Sequence, residues 1–240
     1  YNVAVGRAAL SVSTTGASNT AVGTDALQQN TTGGANTAVG HDALDANTTG
    51  NYNTAVGQAA LSANTTATGN SAVGQNALGS NTDGTNNNAF GYAALDACTT
   101  GDQNEAFGVS ALGSLTTAGD NVAVGYYAGA TLNSSGNVLI GYVAGQAITT
   151  GGSNSIIGHQ AGDAITTGEQ NVIIGKSAAS ALTTSSYNVV IGTNAGDALT
   201  TGNSITVLGH GALSAATTQS ASTAIGFQAM ASATTAEENT

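Results

Sequence analysis

Asn36-Thr37-Ala38-Val39-Gly40-His41-Asp42-Ala43-Leu44-Asp45-Ala46-Asn47-Thr48-Thr49 is a clean copy of a phrase that the chain writes fourteen times. The anchor is a glycine after a bulky apolar residue, at Gly6, Gly23, Gly40, Gly57, Gly74, Gly91, Gly108, Gly125, Gly141, Gly158, Gly175, Gly192, Gly209 and Gly226. Gly6 to Gly125 makes seven steps of 17 residues and Gly141 to Gly226 five more; only the step between Gly125 and Gly141 is shorter, at 16. A fixed period in this range means one supersecondary piece stacked on copies of itself, each covering its neighbour's apolar face. The expected architecture is a mainly all-β solenoid, a parallel β-roll of fourteen coils of about 17 residues. It runs as one continuous repeat array over 1–240, with sub-blocks 1–125 and 126–240 of different core composition. Both ends cut into the phrase without a polar cap, so the expectation is an uncapped segment of a longer array.

Composition narrows the function classes. Lys and Arg number 2 against 13 Asp and Glu, for a net charge of −11. Phosphate backbones and anionic membrane surfaces are held largely through Lys and Arg, so no nucleic-acid partner is expected. No 18-residue apolar run is present, so no membrane insertion is expected either. Charged residues make up only 6% of the chain, which leaves solubility to Asn, Thr, Ser and Gly. Proline is absent, as suits a backbone whose amides are nearly all needed for ladders between coils. Cys98 is the single cysteine, so no internal disulfide can form.

Counting from the anchor glycine as position zero, each column carries its own constraint. Position +3 is Ala in all fourteen coils, as expected where neighbouring backbones come close. Position −4 is Asn in twelve, with Ile205 and Ser222 as exceptions, and Asn36, Asn53, Asn70, Asn154 and Asn171 are expected to form a structural amide ladder along the axis. Residues −4 to −1 read as a short β-branched strand closed by glycine. Apolar residues at −1, +3, +4 and +7 have the spacing of a helical turn, so the return is expected to be either a one-turn helix or irregular. Early coils carry Leu at +4 and mostly Asn at +7, whereas later ones carry Gly or Ala at +4 and Leu or Ile at +7. Volume moves from one column to the other, so both are expected to face one interior space. A local kink, or a change in coil cross-section, is expected at Asn133–Asn137, where the short step falls.

Position −2 is Ala in the first eight coils and then Leu139, Ile156, Ile173, Val190 and Val207. Successive strand residues point to opposite faces, so if −1 fills the interior, −2 faces outward. These five residues are then expected to form an inter-chain apolar stripe, buried against identical chains around a common axis.

The phrases Asn-Thr-Ala-Val-Gly and Asn-Val-Ile-Ile-Gly, followed by Ala at +3, resemble the head repeats of trimeric autotransporter adhesins. The longer Gly40-His41-Asp42-Ala43-Leu44-Asp45-Ala46-Asn47-Thr48-Thr49-Gly50 resembles repeats of tail-fibre-like proteins of phages and environmental bacteria. The resemblance covers all fourteen coils. It implies a homotrimeric fibre, extracellular, on a cell surface or on a virion. The period is longer than that of the adhesin heads, so their coil geometry does not transfer directly.

Chemistry has little to stand on. No catalytic residue, cofactor or metal site is expected, and the chain is not expected to be an enzyme. His41, Tyr92, Tyr126, Tyr142, His159, His210 and Phe227 share position +1 and form a candidate surface-contact stripe for a cell-surface glycan or receptor, set against a plain solvated edge that tolerates bulk. The aspartates at +5 (Asp45, Asp96, Asp163, Asp197) are expected to face solvent. The expected function is a structural segment of a fibre, a shaft or head that serves as spacer, with surface adhesion as a further role. Two alternatives stand beside it: an ice-binding solenoid acting through the Thr-Thr columns at +8 and +9, and a fibre protein active on polysaccharide.

Overall fold

The computed structural model describes residues 1–234, and its regular structure is entirely strand. The chain falls into two compact units, Tyr1–Asp120 and Asn121–Thr240. The N-terminal unit holds β1 (Val3–Val5), β2 (Thr20–Val22), β3 (Thr37–Val39), β4 (Thr54–Val56), β5 (Ser71–Val73), β6 (Asn88–Phe90) and β7 (Glu105–Phe107). The C-terminal unit holds β8 (Val122–Val124), β9 (Val138–Ile140), β10 (Ser155–Ile157), β11 (Val172–Ile174), β12 (Val189–Ile191), β13 (Thr206–Leu208) and β14 (Thr223–Ile225). Within each unit every strand pairs in parallel with the next along the chain, in the manner of a β-solenoid.

Register follows the repeat, so each column pairs with itself: Thr37 with Thr54, Ala38 with Ala55, Val39 with Val56. The anchor glycine ends each strand with a backbone that only glycine adopts readily, φ being 142° at Gly40. A Cβ there would stand 2.5 Å from the carbonyl oxygen of Gly57 in the next coil. The 16-residue step leaves the ladder untouched, because Val122, Ala123 and Val124 pair with Val138, Leu139 and Ile140 without a slip. The missing residue comes out of the return between Asn133 and Ser135, where Ser134 stands alone: Asn133 N still bonds Thr149 O and Ser153 N still bonds Ser135 O.

The return is not helical, and no helix occurs among the described residues. Positions +2 and +4 both adopt left-handed backbone, as in Asp42 (φ 56°) and Leu44 (φ 52°), which breaks a right-handed turn within three residues. The option of a one-turn helix therefore falls, and the irregular return stands. Amides on this segment bond in opposite directions along the stack: Asp42 N donates to Thr24 O at 3.1 Å and Leu44 N to Ala60 O at 3.0 Å. A left-handed conformation costs a non-glycine residue about 1–2 kcal/mol. Two inter-coil bonds and a fully buried leucine offset that cost in each such coil.

The interior is a thin column lined by −2, +3, +4 and +7. Ala38, Ala43, Leu44 and Asn47 fill one level of the N-terminal unit, and Ile156, Ala161 and Ile165 one level of the C-terminal unit. A Cβ on Gly162 at +4 would lie 3.0 Å from Ile165 Cδ1 and 3.1 Å from Ile156 Cδ1, so these columns do share one space. This corrects the reading of position −2. Leu139, Ile156, Ile173, Val190 and Val207 are 0% exposed, covered by their own chain, and form no stripe for a sister chain. Strand parity is the reverse of the expectation: −2 points inward and −1 outward, and room for the large −2 side chains comes from losing the leucine at +4 beside Leu139, Ile156, Ile173 and Val190, and from Ala216 at +7 beside Val207, whose coil keeps Leu213.

Candidate functional site

Two columns of asparagine tie the coils together from inside. Asn36, Asn53, Asn70, Asn154 and Asn171 at −4 are all 0% exposed. Each side-chain oxygen accepts from the backbone N–H of the asparagine one coil on, as in Asn53 N to Asn36 Oδ1 at 2.9 Å. In the N-terminal unit the side-chain nitrogen of Asn36 donates to Gly50 O at 2.8 Å, and that of Asn53 to Ala67 O at 2.8 Å. In the C-terminal unit the side chains also bond to one another, Asn171 Nδ2 to Asn154 Oδ1 at 3.0 Å. A second amide ladder runs through +7, where Asn47 Nδ2 donates to Asn30 Oδ1 and Asn64 Nδ2 to Asn47 Oδ1, both at 2.8 Å. Asn30, Asn47 and Asn64 head Asn-x-Thr triplets, but burial and these bonds leave no room for a glycan. Asn81 continues the column and Cys98 takes the place after it, where burial pushes its thiol up to about 11.

The threonine columns divide their labour. At +8 the hydroxyl donates to the next coil's carbonyl, as in Thr31 Oγ1 to Thr48 O at 3.0 Å and Thr166 Oγ1 to Thr183 O at 3.2 Å. At +9 the side chains, Thr32, Thr49 and Thr167 among them, are exposed. One of the two columns invoked for ice is thus already hydrogen-bonded within the solenoid.

The outer face of the strands carries −1 and −3. Val39, Phe107 and Ile157 at −1 keep 36%, 39% and 37% of their surface in water, against 0% for the residue beside each on the inner face. Phe90 and Phe107 stack with centroids 4.9 Å apart, beside Asn88 Nδ2, which donates to Glu105 Oε1 at 2.9 Å. In four coils of the C-terminal unit both outward positions are apolar (Val122 and Val124, Val138 and Ile140, Val172 and Ile174, Val189 and Ile191), while Ser155, Thr206 and Thr223 interrupt the −3 column. The sequence did not single this face out.

The +1 stripe is exposed throughout. Five of its seven members come together: Tyr126 stacks on Tyr142 at 5.4 Å and Tyr142 on His159 at 5.0 Å, while His210 stacks on Phe227 at 5.4 Å. Tyr127 leans on Tyr126 at 4.5 Å. These rings spend their faces on one another, so edges and hydroxyls are what they present outward. Tyr92 stands apart from these stacks. His41 belongs to a different group: its Nδ1 lies 2.8 Å from Asp42 Oδ2, and Asp25 pairs with Arg7 at 2.8 Å.

The +5 aspartates are half-buried rather than solvent-facing. Asp45, Asp163 and Asp197 each hold one oxygen out of water with no hydrogen-bond partner. Burial is the first cause that lifts these carboxyls, and that of Asp96, above the ordinary aspartate range.

Comparison with protein-family models, with curated proteins and with solved structures found no match. No helix among the described residues is long and apolar enough to cross a membrane.

Proposed function

We propose that this chain is a structural repeat segment of a fibre that assembles with copies of itself, three around an axis, and acts as a spacer outside the cell or on a virion. The observation that carries the reading is the outward row at −1, a flat parallel ladder of Val, Phe and Ile left in water. Seven strands at about 4.8 Å make a face roughly 34 Å long on each unit, and where −3 is apolar too it approaches the largest apolar patches that soluble monomers keep exposed. Stacking a second copy on that face removes it from water, and the ladders of asparagine and threonine stiffen each unit along the coil axis. The trimer and its place outside the cell rest on the likeness of the repeated phrase to adhesin heads and tail-fibre repeats. Attachment to a glycan or receptor through the +1 stripe is a secondary role in the same proposal.

Solution mass tests it. Sedimentation of the chain at tens of micromolar is expected to give three times the 23.0 kDa of one copy. Ile157→Glu together with Ile174→Glu is expected to shift the mass toward one copy with the circular dichroism unchanged. A wild-type chain that sediments as a single copy overturns the proposal.

A further inference from the structure

We infer that Asp25, His41 and Asp42 form a binding site for a borderline divalent cation of the Zn²⁺ class. The stacking of coils creates it. Asp25 and Asp42 hold position +2 in neighbouring coils, with left-handed backbone at φ 58° and 56°, and His41 precedes Asp42 at +1. Backbone bonds between coils fix the main chain that carries both carboxylates: Asp25 N donates to Arg7 O at 2.9 Å and Asp42 N to Thr24 O at 3.1 Å. One ligand atom from each of the three residues then lies within 4.8 Å of the others. Ligand atoms sharing one tetrahedral zinc stand about 3.3 Å apart. Rotation of an aspartate side chain covers the difference.

The electrostatics point the same way. Two carboxylates and an imidazole offer two oxygens and one nitrogen with a formal charge that matches M²⁺, a donor set that suits zinc, cobalt or nickel. Calcium asks for six to eight oxygens and is poorly served here. Neighbouring side chains already occupy the oxygens concerned. Arg7 Nη2 sits 2.8 Å from Asp25 Oδ2, and the other oxygen of Asp25 is steadied by Gln28 Nε2 at 2.9 Å. The Asp25 side chain is 17% exposed and that of Arg7 75%, so the carboxylate is held while the guanidinium can leave for water. On binding, the cation takes the place of the Arg7 guanidinium on Asp25 and enters between His41 Nδ1 and Asp42 Oδ2, the neutral imidazole keeping its hydrogen on Nε2. The displaced guanidinium turns to solvent, and no redox step is involved. Three protein ligands leave a coordination position for water.

The molecule carries its own controls. His159 and His210 occupy the same +1 column, but Gln160 and Gly211 follow them where Asp42 follows His41. Calorimetric titration of the full chain with ZnCl₂ in a chelator-free buffer is expected to give one ion per chain, with the visible spectrum of bound Co²⁺ as a second readout. His41→Ala and Asp42→Asn are each expected to weaken binding about tenfold or more, a loss of the size seen on disturbing metal sites. Arg7→Ala is expected to tighten it, and His159→Ala to leave it unchanged. CaCl₂ is expected to give no heat at the same concentrations. Unaltered zinc affinity in His41→Ala, a loss in His159→Ala, or no binding by the wild-type chain overturns the inference. None of these readouts depends on how many copies assemble.

Discussion

Asn81 is where an otherwise continuous amide ladder stops. Asn30, Asn47 and Asn64 each lend an oxygen to the following asparagine, but Asn81 Oδ1 is buried without a partner because the next coil offers Cys98. The thiol instead faces Gly101 O at 3.6 Å, whereas Asn81 Nδ2 reaches the equivalent carbonyl, Gly84 O, at 3.0 Å. Cys98→Asn would supply a donor to Asn81 Oδ1 and keep the bond to Gly101. It is expected to stabilise the chain by about 1 kcal/mol, read from denaturant unfolding, since an orphaned buried acceptor costs about that much. A lower midpoint would mean that the column tolerates sulfur for reasons of volume. At this scale the sequence was largely readable: the −4 asparagine column, the invariant alanine and the glycine anchor announced constrained positions, while the second amide ladder at +7 was read only as interior. The cation cluster was not readable, because Asp25 meets His41 only through the stacking of coils.

Strand parity was the element-scale error, and its cause is physical. Position −1 is always large and apolar, which reads as core, yet a coil this thin has room on the strand's inner face for alanine or, once the +4 leucine is gone, for isoleucine. The signal lay in three columns taken together. In the coils from Gly23 to Gly74, Ala at −2 travels with Leu at +4 and Asn at +7; Ile at −2 travels with a small +4 residue and a large aliphatic +7, as in Ile156, Gly162 and Ile165 or Ile173, Ala179 and Leu182. Residues that exchange volume share a space, and that places −2 inside. The helical turn failed for a related reason, since inter-coil bonding of alternate amides imposed left-handed backbone on ordinary residues. The anchor glycine holds the corner between strand and return, so Gly40→Ala is expected to cost about 3 kcal/mol or more. Scanning calorimetry should show this as a lowered first transition, because each coil leans only on its neighbours. A variant that melts like the wild type would show that the corner relaxes.

At the scale of the whole molecule, stability is expected to rise as the solution is acidified from neutrality toward the ordinary aspartate value of 3.8. Asp45, Asp96, Asp163 and Asp197 have folded-state carboxyls lifted by burial, so the folded chain binds protons more readily than the unfolded one. The stabilisation is therefore greatest in acid and is lost as pH rises through the folded values. Relief of a net charge of −11 acts in the same direction. Replacing the four aspartates by asparagine is expected to raise the melting temperature at pH 7.5 and to flatten its pH dependence. An unchanged pH dependence in that variant would overturn the assignment to these four carboxyls. The 16-residue step has a consequence of its own. A coil that can shed a residue beside Ser134 while Asn137 still bonds Asn121 at 2.9 Å tells an engineer where the chain forgives editing. Short epitopes spliced at that bend would be carried on the outside of the roll without disturbing the pairing beneath.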